Sequence, residues 1–407
     1  MFRFICRIGW ASLLRRRLRS LLVILMITTS LWGLLLMEGV YEGMTEQMID
    51  NAIRSDSGDI TIYAKGYRED NDLKRLIHDT GEVESIIHSI PEIKSFTKRI
   101  IQDCLVATAH YSQNATLLGM DLLSEKKHGR LDQYMSKGQF SFGQRGTGVL
   151  VGYKLAEKLK TDIGKKLILS AQDSSGEISS IALRVSGIIK TNNMLLDSRA
   201  LLMDLEKAAE MLQIEDGVTR ISLILSDRGL TESIHTKLQN ALPDRELFRW
   251  DQLYPALMQG KVMMDGFNLV TSIIVFTVAS LGIFGVMMVS VLERLREFGI
   301  MMAIGTRYSH LTAIVLSESV ILGMVGYLSG SLLGYLTLLY FKTYGLDLSV
   351  FSEGIETFGM DTISYAAIHA DYFITAGIAV ILATLSSIIV PLRILKKVHP
   401  VEVIQAM

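Results

Sequence analysis

Four stretches of this chain are almost free of charge: Leu21–Met37, Phe267–Leu292, Leu311–Phe341 and Phe373–Leu392, of 17, 26, 31 and 20 residues, with Glu318 as the only ionisable acid or base among them. At about 1.5 Å per helical residue they reach roughly 26, 39, 46 and 30 Å, against a hydrocarbon core of about 30 Å. The pattern predicts four transmembrane helices arranged one plus three. Between the first two spans, residues 38–266, the pattern changes. Alternation of β-branched and polar residues over Asp59–Tyr63, Asp103–Ala109, Thr116–Gly119, Lys165–Ser170 and Arg220–Leu225 predicts short strands. Apolar residues at every third or fourth position over Leu73–Ser89, Tyr153–Leu159, Leu205–Leu212 and Thr231–Leu242 predict helices. The turn residues Gln172–Gly176, between Leu167–Ser170 and Ile181–Val185, read as a hairpin. The expected fold class is an α-helical integral membrane protein with four transmembrane helices (1 + 3) and a large α+β extracytoplasmic domain between helices 1 and 2.

A content of 49% apolar and 20% charged residues, with a mean hydropathy of +0.33, excludes an ordinary soluble enzyme. The net charge of −1 hides a segregation: residues 1–20, 293–310 and 393–407 together carry +9, whereas 38–266 carry −5 and 342–372 carry −4. Basic flanks mark the cytoplasmic side. The expected order is therefore a cytoplasmic interfacial helix (1–20), helix 1 (21–37), a periplasmic α+β domain with stalk (38–266), helix 2 (267–292) and a cytoplasmic loop (293–310). Helix 3 (311–341), a short periplasmic loop (342–372), helix 4 (373–392) and a cytoplasmic tail (393–407) follow. A cleaved signal peptide is the competing reading of the first span; no A-x-A-like site follows Met37, which favours retention as an anchor. Cys6 and Cys104 fall on opposite sides and cannot pair with each other. A helical pattern over Asp251–Asp265 runs into the second span and predicts a stalk, although tilt can also absorb its excess length.

Chemistry within the chain is sparse. The sequence has no G-x-x-x-x-G-K-[ST], no H-E-x-x-H and no G-x-S-x-G, so the reading is a non-enzymatic chain with no catalytic residue, cofactor or metal site of its own. Nothing points to nucleic acid. The loop Glu293–Gly305 is too apolar for a solvated connection: Leu295, Phe298, Met301 and Met302 share one side of a short helix, with Arg294 and Glu297 on another. Docking onto a cytoplasmic partner and a plain solvated charge run fit that composition equally. Gly326, Gly330 and Gly334 repeat at every fourth position, which lets another helix approach closely, within the bundle or at a dimer seam. Glu318, inside the third span, must be paired, neutral or facing a wet cavity.

The segment Arg294-Leu-Arg-Glu-Phe-Gly-Ile-Met-Met-Ala-Ile-Gly305 resembles the R-x-R-E-x-G-x-x-x-A-x-G signature of FtsX/MacB-type permeases, the membrane subunits of type VII ABC transporters. The 1 + 3 topology, the third helix with Glu318, Gly323 and Gly326, and the terminal His399-Pro400-Val-Glu402 are similar as well. Gly119-Met-Asp121, Val151-Gly-Tyr-Lys-Leu-Ala156 and Val185-Ser-Gly-Ile-Ile189 resemble phrases of the lipoprotein-releasing LolC/LolE-type permeases of bacterial inner membranes. The resemblance implies a cytoplasmic ABC ATPase dimer that binds the ATP and Mg, a second permease copy or paralogue, and a coupling helix at the inner loop. Arg294, Glu297, Phe298, Gly299, Met302, Ala303 and Gly305 would form the ATPase contact. It further implies a lipoprotein or other amphiphilic substrate, whose acyl chains would enter a membrane cavity between Leu34 of one protomer and Ile274 of another. A periplasmic carrier or adaptor is a further expected partner, yet the proline-bearing hook of one lipoprotein-releasing subunit has no counterpart, since residues 165–190 contain no proline. The expected function is extraction of lipoproteins from the inner membrane for outer-membrane delivery. A mechanotransmitter that regulates a cell-wall hydrolase and an efflux permease working with an adaptor are the alternatives.

Overall fold

The structure, a computed structural model, describes residues 13, 17–143, 146–191, 193–351 and 362–396. Phe2, Ile5, Ile8, Trp10 and Leu14, read with Leu13 as an interfacial helix, lie outside them, as do Cys6 and the tail motif His399–Glu402. The chain forms two compact units. One holds the described residues up to Met44, Lys261–Asp347 and those from Ile363 onward; the other is Thr45–Gly260 with the described part of 348–362.

Among the described residues, four helices are long and apolar enough to cross a membrane: α1 (Arg17–Ala52, prolonged by a π-helical turn Ile53–Ser57), a second from Pro255 to Glu293, a third from Tyr308 to Tyr344, and a fourth from Ala370 to Ser387 continued by Ile389–Lys396. In lipid every backbone amide must find its partner inside the segment, so apolar runs of this length close into helices.

The first unit is held by side chains from these helices. Val23, Ile27, Ile283, Met287, Val291, Leu311, Val315, Leu322 and Ala383 form one buried cluster. The third helix meets the first along its glycines: a Cβ at Gly326, Gly330 or Gly334 would stand 2.7, 3.0 and 2.8 Å from side-chain carbons of Ile27, Leu31 and Leu35. Residues four apart on one helix thus interleave with residues four apart on the other. Trp32 Nε1 donates to Thr337 Oγ1 at 3.0 Å, and Tyr327 OH to the Phe373 carbonyl at 3.0 Å.

The second unit is built on a sheet of ten strands among the described residues: β1 (Ile60–Ala64), β2 (Ile93–Ala107), β3 (Ser112–Met120), β4 (Met135–Gly138), β5 (Gly148–Gly152), β6 (Lys166–Gln172), β7 (Ile178–Ile189), β8 (Ala200–Asp204), β9 (Arg220–Leu225) and β10 (Arg245–Arg249). Their order is β10-β1-β9-β2-β3-β8-β5-β7-β4, with β6 bridging β2 and β7. Pairing is antiparallel except for β3 with β8 and β5 with β7. The central strands are covered on both faces. Val149, Val151, Leu201 and Met203 enter one apolar cluster, whereas the alternate residues Leu150 and Leu202 enter another with Leu118, Met120 and Phe142. Strands buried on both faces read as continuous apolar runs, which is why alternation does not reveal β5 and β8.

Two further differences from the sequence expectation have local causes. The helix expected over Leu73–Ser89 is confined to α2 (Thr80–His88), because Ile77 pairs its backbone with Val218 in both directions and Asp79 turns the chain at φ 54°. The stalk helix expected from Asp251 starts at Pro255, after a separate turn Trp250–Leu253. Proline lacks the amide a preceding turn would use and suits the first helical position. The expected hairpin is present: Asp173 Oδ1 accepts the Ser175 and Glu177 amides at 3.0 Å each, and Gly176 takes φ 92°.

Candidate functional site

The loop after the second long helix folds as a nine-residue helix, Leu295–Ala303. Its end is a Schellman closure: the Gly305 amide donates to the Met302 carbonyl at 3.0 Å and the Thr306 amide to the Met301 carbonyl at 2.9 Å, with Gly305 at φ 97°. That left-handed position is what requires glycine there.

Apolar residues of this helix turn into the bundle. Phe298 is fully buried against the first cluster, and Leu295, Met301 and Met302 pack partly buried beside it. Arg294 is the hub. Its Nη1 donates to Glu318 Oε1 at 2.6 Å, its Nε to Glu297 Oε2 at 3.2 Å, and its guanidinium lies 4.9 Å from the centre of the Phe298 ring. Glu318, only 3% exposed in the third helix, therefore meets a guanidinium from the loop. A second fork fixes the neighbouring turn: Arg19 Nη1 and Nη2 donate to the two oxygens of Glu293 at 2.9 and 2.8 Å.

The residues expected to form the ATPase contact thus fall into two groups. Arg294, Phe298 and Gly299 are buried and Met302 half-buried, while Glu297, Ala303 and Gly305 are exposed. Arg296, Ile300 and Ile304 share the exposed side, Ile304 at 78%. Nothing local to residues 293–305 marks that side in advance, because the bundle decides which side of the helix is covered.

In the membrane helices, Leu34 lines a cavity of about 70 Å³ with Leu31, Phe276, Ala279, Ala376 and Ala383. Ile274 does not line it and is 57% exposed. A wider apolar groove of about 530 Å³ lies between the third and fourth helices, lined by Gly323, Tyr327, Gly377, Ile381 and Thr384. The glycine stripe is filled by the first helix of the same chain.

The sheet unit holds a polar cluster that sequence reasoning missed. Arg99 of β2, which has no exposed surface, forks onto Glu125, with Nε to Oε1 at 2.5 Å and Nη2 to Oε2 at 2.7 Å. Thr97 Oγ1 donates to the same carboxylate at 2.9 Å, and His128 Nδ1 lies 3.1 Å from Ser95 Oγ. Burial raises the Glu125 carboxyl, but the facing Arg99 outweighs it and holds it below the ordinary glutamate range. Burial pushes His128 down to about 4. The Cys104 thiol is pushed up to about 12 by burial, so it is not a thiolate at neutral pH. Among the described residues no group of three or more His, Cys, Asp or Glu is placed to hold a metal ion.

Residues 20–241 match the family model described as MacB-like periplasmic core domain, and residues 269–400 match FtsX-like permease C-terminal. The first match alone spans more than half of the chain. The chain is a permease of the FtsX/MacB type. This permease is 26% identical over 168 residues to the Macrolide export ATP-binding/permease protein MacB of Escherichia coli, covering 39% of this chain and 26% of that one. It is 20% identical over 292 residues to the Lipoprotein-releasing system transmembrane protein LolE of Haemophilus influenzae, covering 70% of this chain and 68% of that one. The permease thus spans about a quarter of the Escherichia coli MacB it matches, and 54% of the Probable export ATP-binding/permease protein MacB of Pseudomonas entomophila. A solved periplasmic region of MacB from Actinobacillus actinomycetemcomitans is 15% identical with a TM-score of 0.34, covering 51% of this chain and 95% of that one.

Proposed function

We propose that this permease is the membrane subunit of an ABC transporter in the bacterial inner membrane, with both termini in the cytoplasm and the sheet unit in the periplasm. It couples the cycle of a cytoplasmic ATPase dimer, which carries the ATP and Mg, to movement of the periplasmic domain, and so extracts lipoproteins for outer-membrane delivery. The observation that carries the coupling is the Arg294–Glu318 pair, which ties the loop helix to the third membrane helix inside the bundle. A push on the exposed Glu297, Ile300 and Ile304 therefore has a stiff path into that helix. The lipoprotein class is supported by the likeness to LolE, which extends over 70% of this chain. Acyl chains would enter between Leu34 of one permease and the outward-facing Ile274 of a second copy or paralogue.

Efflux with a periplasmic adaptor is the second reading, favoured by the MacB-like match of residues 20–241. Affinity purification in mild detergent, with mass spectrometry of bound proteins and acylated species, separates them. The expected result is an ATPase with triacylated lipoproteins. An ATPase with an adaptor or a hydrolase and no acylated cargo would support efflux or hydrolase regulation instead, and the absence of any ATPase would refute the transporter reading.

A further inference from the structure

The sheet unit takes in the last turns of α1, from Thr45, and the first turns of the second long helix, up to Gly260. Within that unit both helix ends meet at one carboxylate. The π-helical turn Ile53–Ser57 carries Asp56, whose Oδ1 accepts from Arg220 Nη2 of β9 and, at 3.4 Å, from Arg99 Nη1 of β2. Its Oδ2 accepts the hydroxyl of Tyr254, the residue immediately before the helix that starts at Pro255. The Asp56 backbone carbonyl accepts from Arg99 Nη1 at 2.8 Å, Arg220 Nη2 at 3.1 Å and Ser222 Oγ at 3.4 Å. Next to it, Asn193 Nδ2 donates to Ser55 Oγ at 3.1 Å. The Arg99 fork onto Glu125 completes a set of two guanidiniums and two carboxylates.

Burying such a set is costly, and apolar side chains of similar volume would be at least as stabilising. What the Arg99 fork on Glu125 and the converging Arg99 and Arg220 contacts on Asp56 provide is direction, since several charged donors fix one acceptor in place. The backbone is pressed into the same place. Gly58 takes φ 66°, and a Cβ there would stand 2.4 Å from the Leu223 carbonyl of β9.

We propose that Asp56 is a positioning residue that fastens the end of α1 and the start of the second membrane helix to the same two strands. A displacement of either helix end is then carried into the sheet rather than absorbed in a hinge at 53–59 or 250–255. This rests on the proposed ATP-driven movement of the periplasmic domain.

The test is hydrogen–deuterium exchange of the full-length permease, purified with its ATPase in lipid nanodiscs, with and without ATP and vanadate. Tyr254→Phe deletes one hydroxyl and leaves both ion pairs; Asp56→Asn weakens all three contacts. In both, peptides covering 45–58 and 250–260 should exchange several-fold faster than wild type, as expected for losing a hydrogen bond to a charge whose side chain is 20% exposed. Strands β5 and β8 should keep their protection, and the response of sheet peptides to vanadate trapping should disappear. Unchanged exchange at the junctions in both variants overturns the proposal. Faster junctions with a wild-type sheet response also overturn it, because the cluster would then only stabilise the fold. A wild-type sheet that never responds to trapping refutes the transport reading instead, and the junction exchange alone then decides whether Asp56 ties the two ends.

Discussion

Replacing Arg294 by methionine leaves the Glu318 carboxylate, 3% exposed inside the bundle, without the guanidinium that lies 2.6 Å away. Breaking one side of a buried pair costs about 3–5 kcal/mol, most of it the uncompensated charge. The stacking of Arg294 on Phe298, 4.9 Å from the ring centre, adds about 0.5–1 kcal/mol to the loss. Glu318→Met has a milder partner to strand, because Arg294 keeps Glu297 at 3.2 Å, and about 2–4 kcal/mol is expected. With both residues changed to methionine no charge is stranded, and the double variant should return to within about 1 kcal/mol of wild type. The assay is reversible unfolding of the full chain in mixed micelles for all four members of the cycle. If the two single losses simply add in the double variant, the side chains do not interact and the hub is wrong. Substrate-stimulated ATP turnover supplies a second readout. It should stay low in the double variant, since methionines restore packing but not the fork that orients Leu295–Ala303.

Glu297→Lys alters a side chain that is 59% exposed, so it should cost under about 1 kcal/mol of stability while lowering substrate-stimulated ATP turnover several-fold; full turnover in reconstituted vesicles would reject the docking face. Gly330→Ile drives a branched side chain into Leu31, whose carbons stand 3.0 Å from the Cβ position, and should destabilise the chain by about 1–3 kcal/mol in the same micelle assay, against little effect for Gly260→Ala, where nothing lies within 4 Å. His128 titrates near 4 in the fold against 6.5 ordinarily, so its contribution is complete above pH 6.5 and is lost as the pH falls from 6.5 through 4, a total of about 3 kcal/mol. His128→Gln should flatten that part of the urea-midpoint profile between pH 7 and 4; an unchanged slope would show that other groups set it.

The helix Leu295–Ala303 shows where reading a sequence succeeds and where it stops. Its existence, its Gly305 terminus and its kinship to the permease signature are local properties, visible in residues 293–305. Which side faces a partner is not. The apolar side, Leu295, Phe298 and Met302, reads as a docking face in isolation, and the bundle claims it because Met287, Val291 and Val315 offer a larger apolar surface to cover. The strands follow the same division. Arg220–Leu225 is legible from its alternation, whereas β5 and β8, covered on both faces, carry none. The first half of β2 is hidden because Lys94, Ser95, Thr97, Lys98 and Arg99 outnumber its apolar residues, and Arg99 is buried there only because Glu125 faces it.

By itself, then, the sequence of this permease determined what depends on neighbours a few residues away: the four apolar lengths, the turn at Gln172–Gly176 and the glycine spacing of the third span. The tertiary structure alone decided what depends on residues far along the chain: Glu318 meeting Arg294, Ile27, Leu31 and Leu35 filling the glycine stripe, and Arg99, Arg220 and Tyr254 converging on Asp56. The physical reason is that hydrophobic pattern records only that a side chain leaves water. A buried charge is settled by whichever opposite charge the fold brings within hydrogen-bonding distance, and no periodicity encodes that partner.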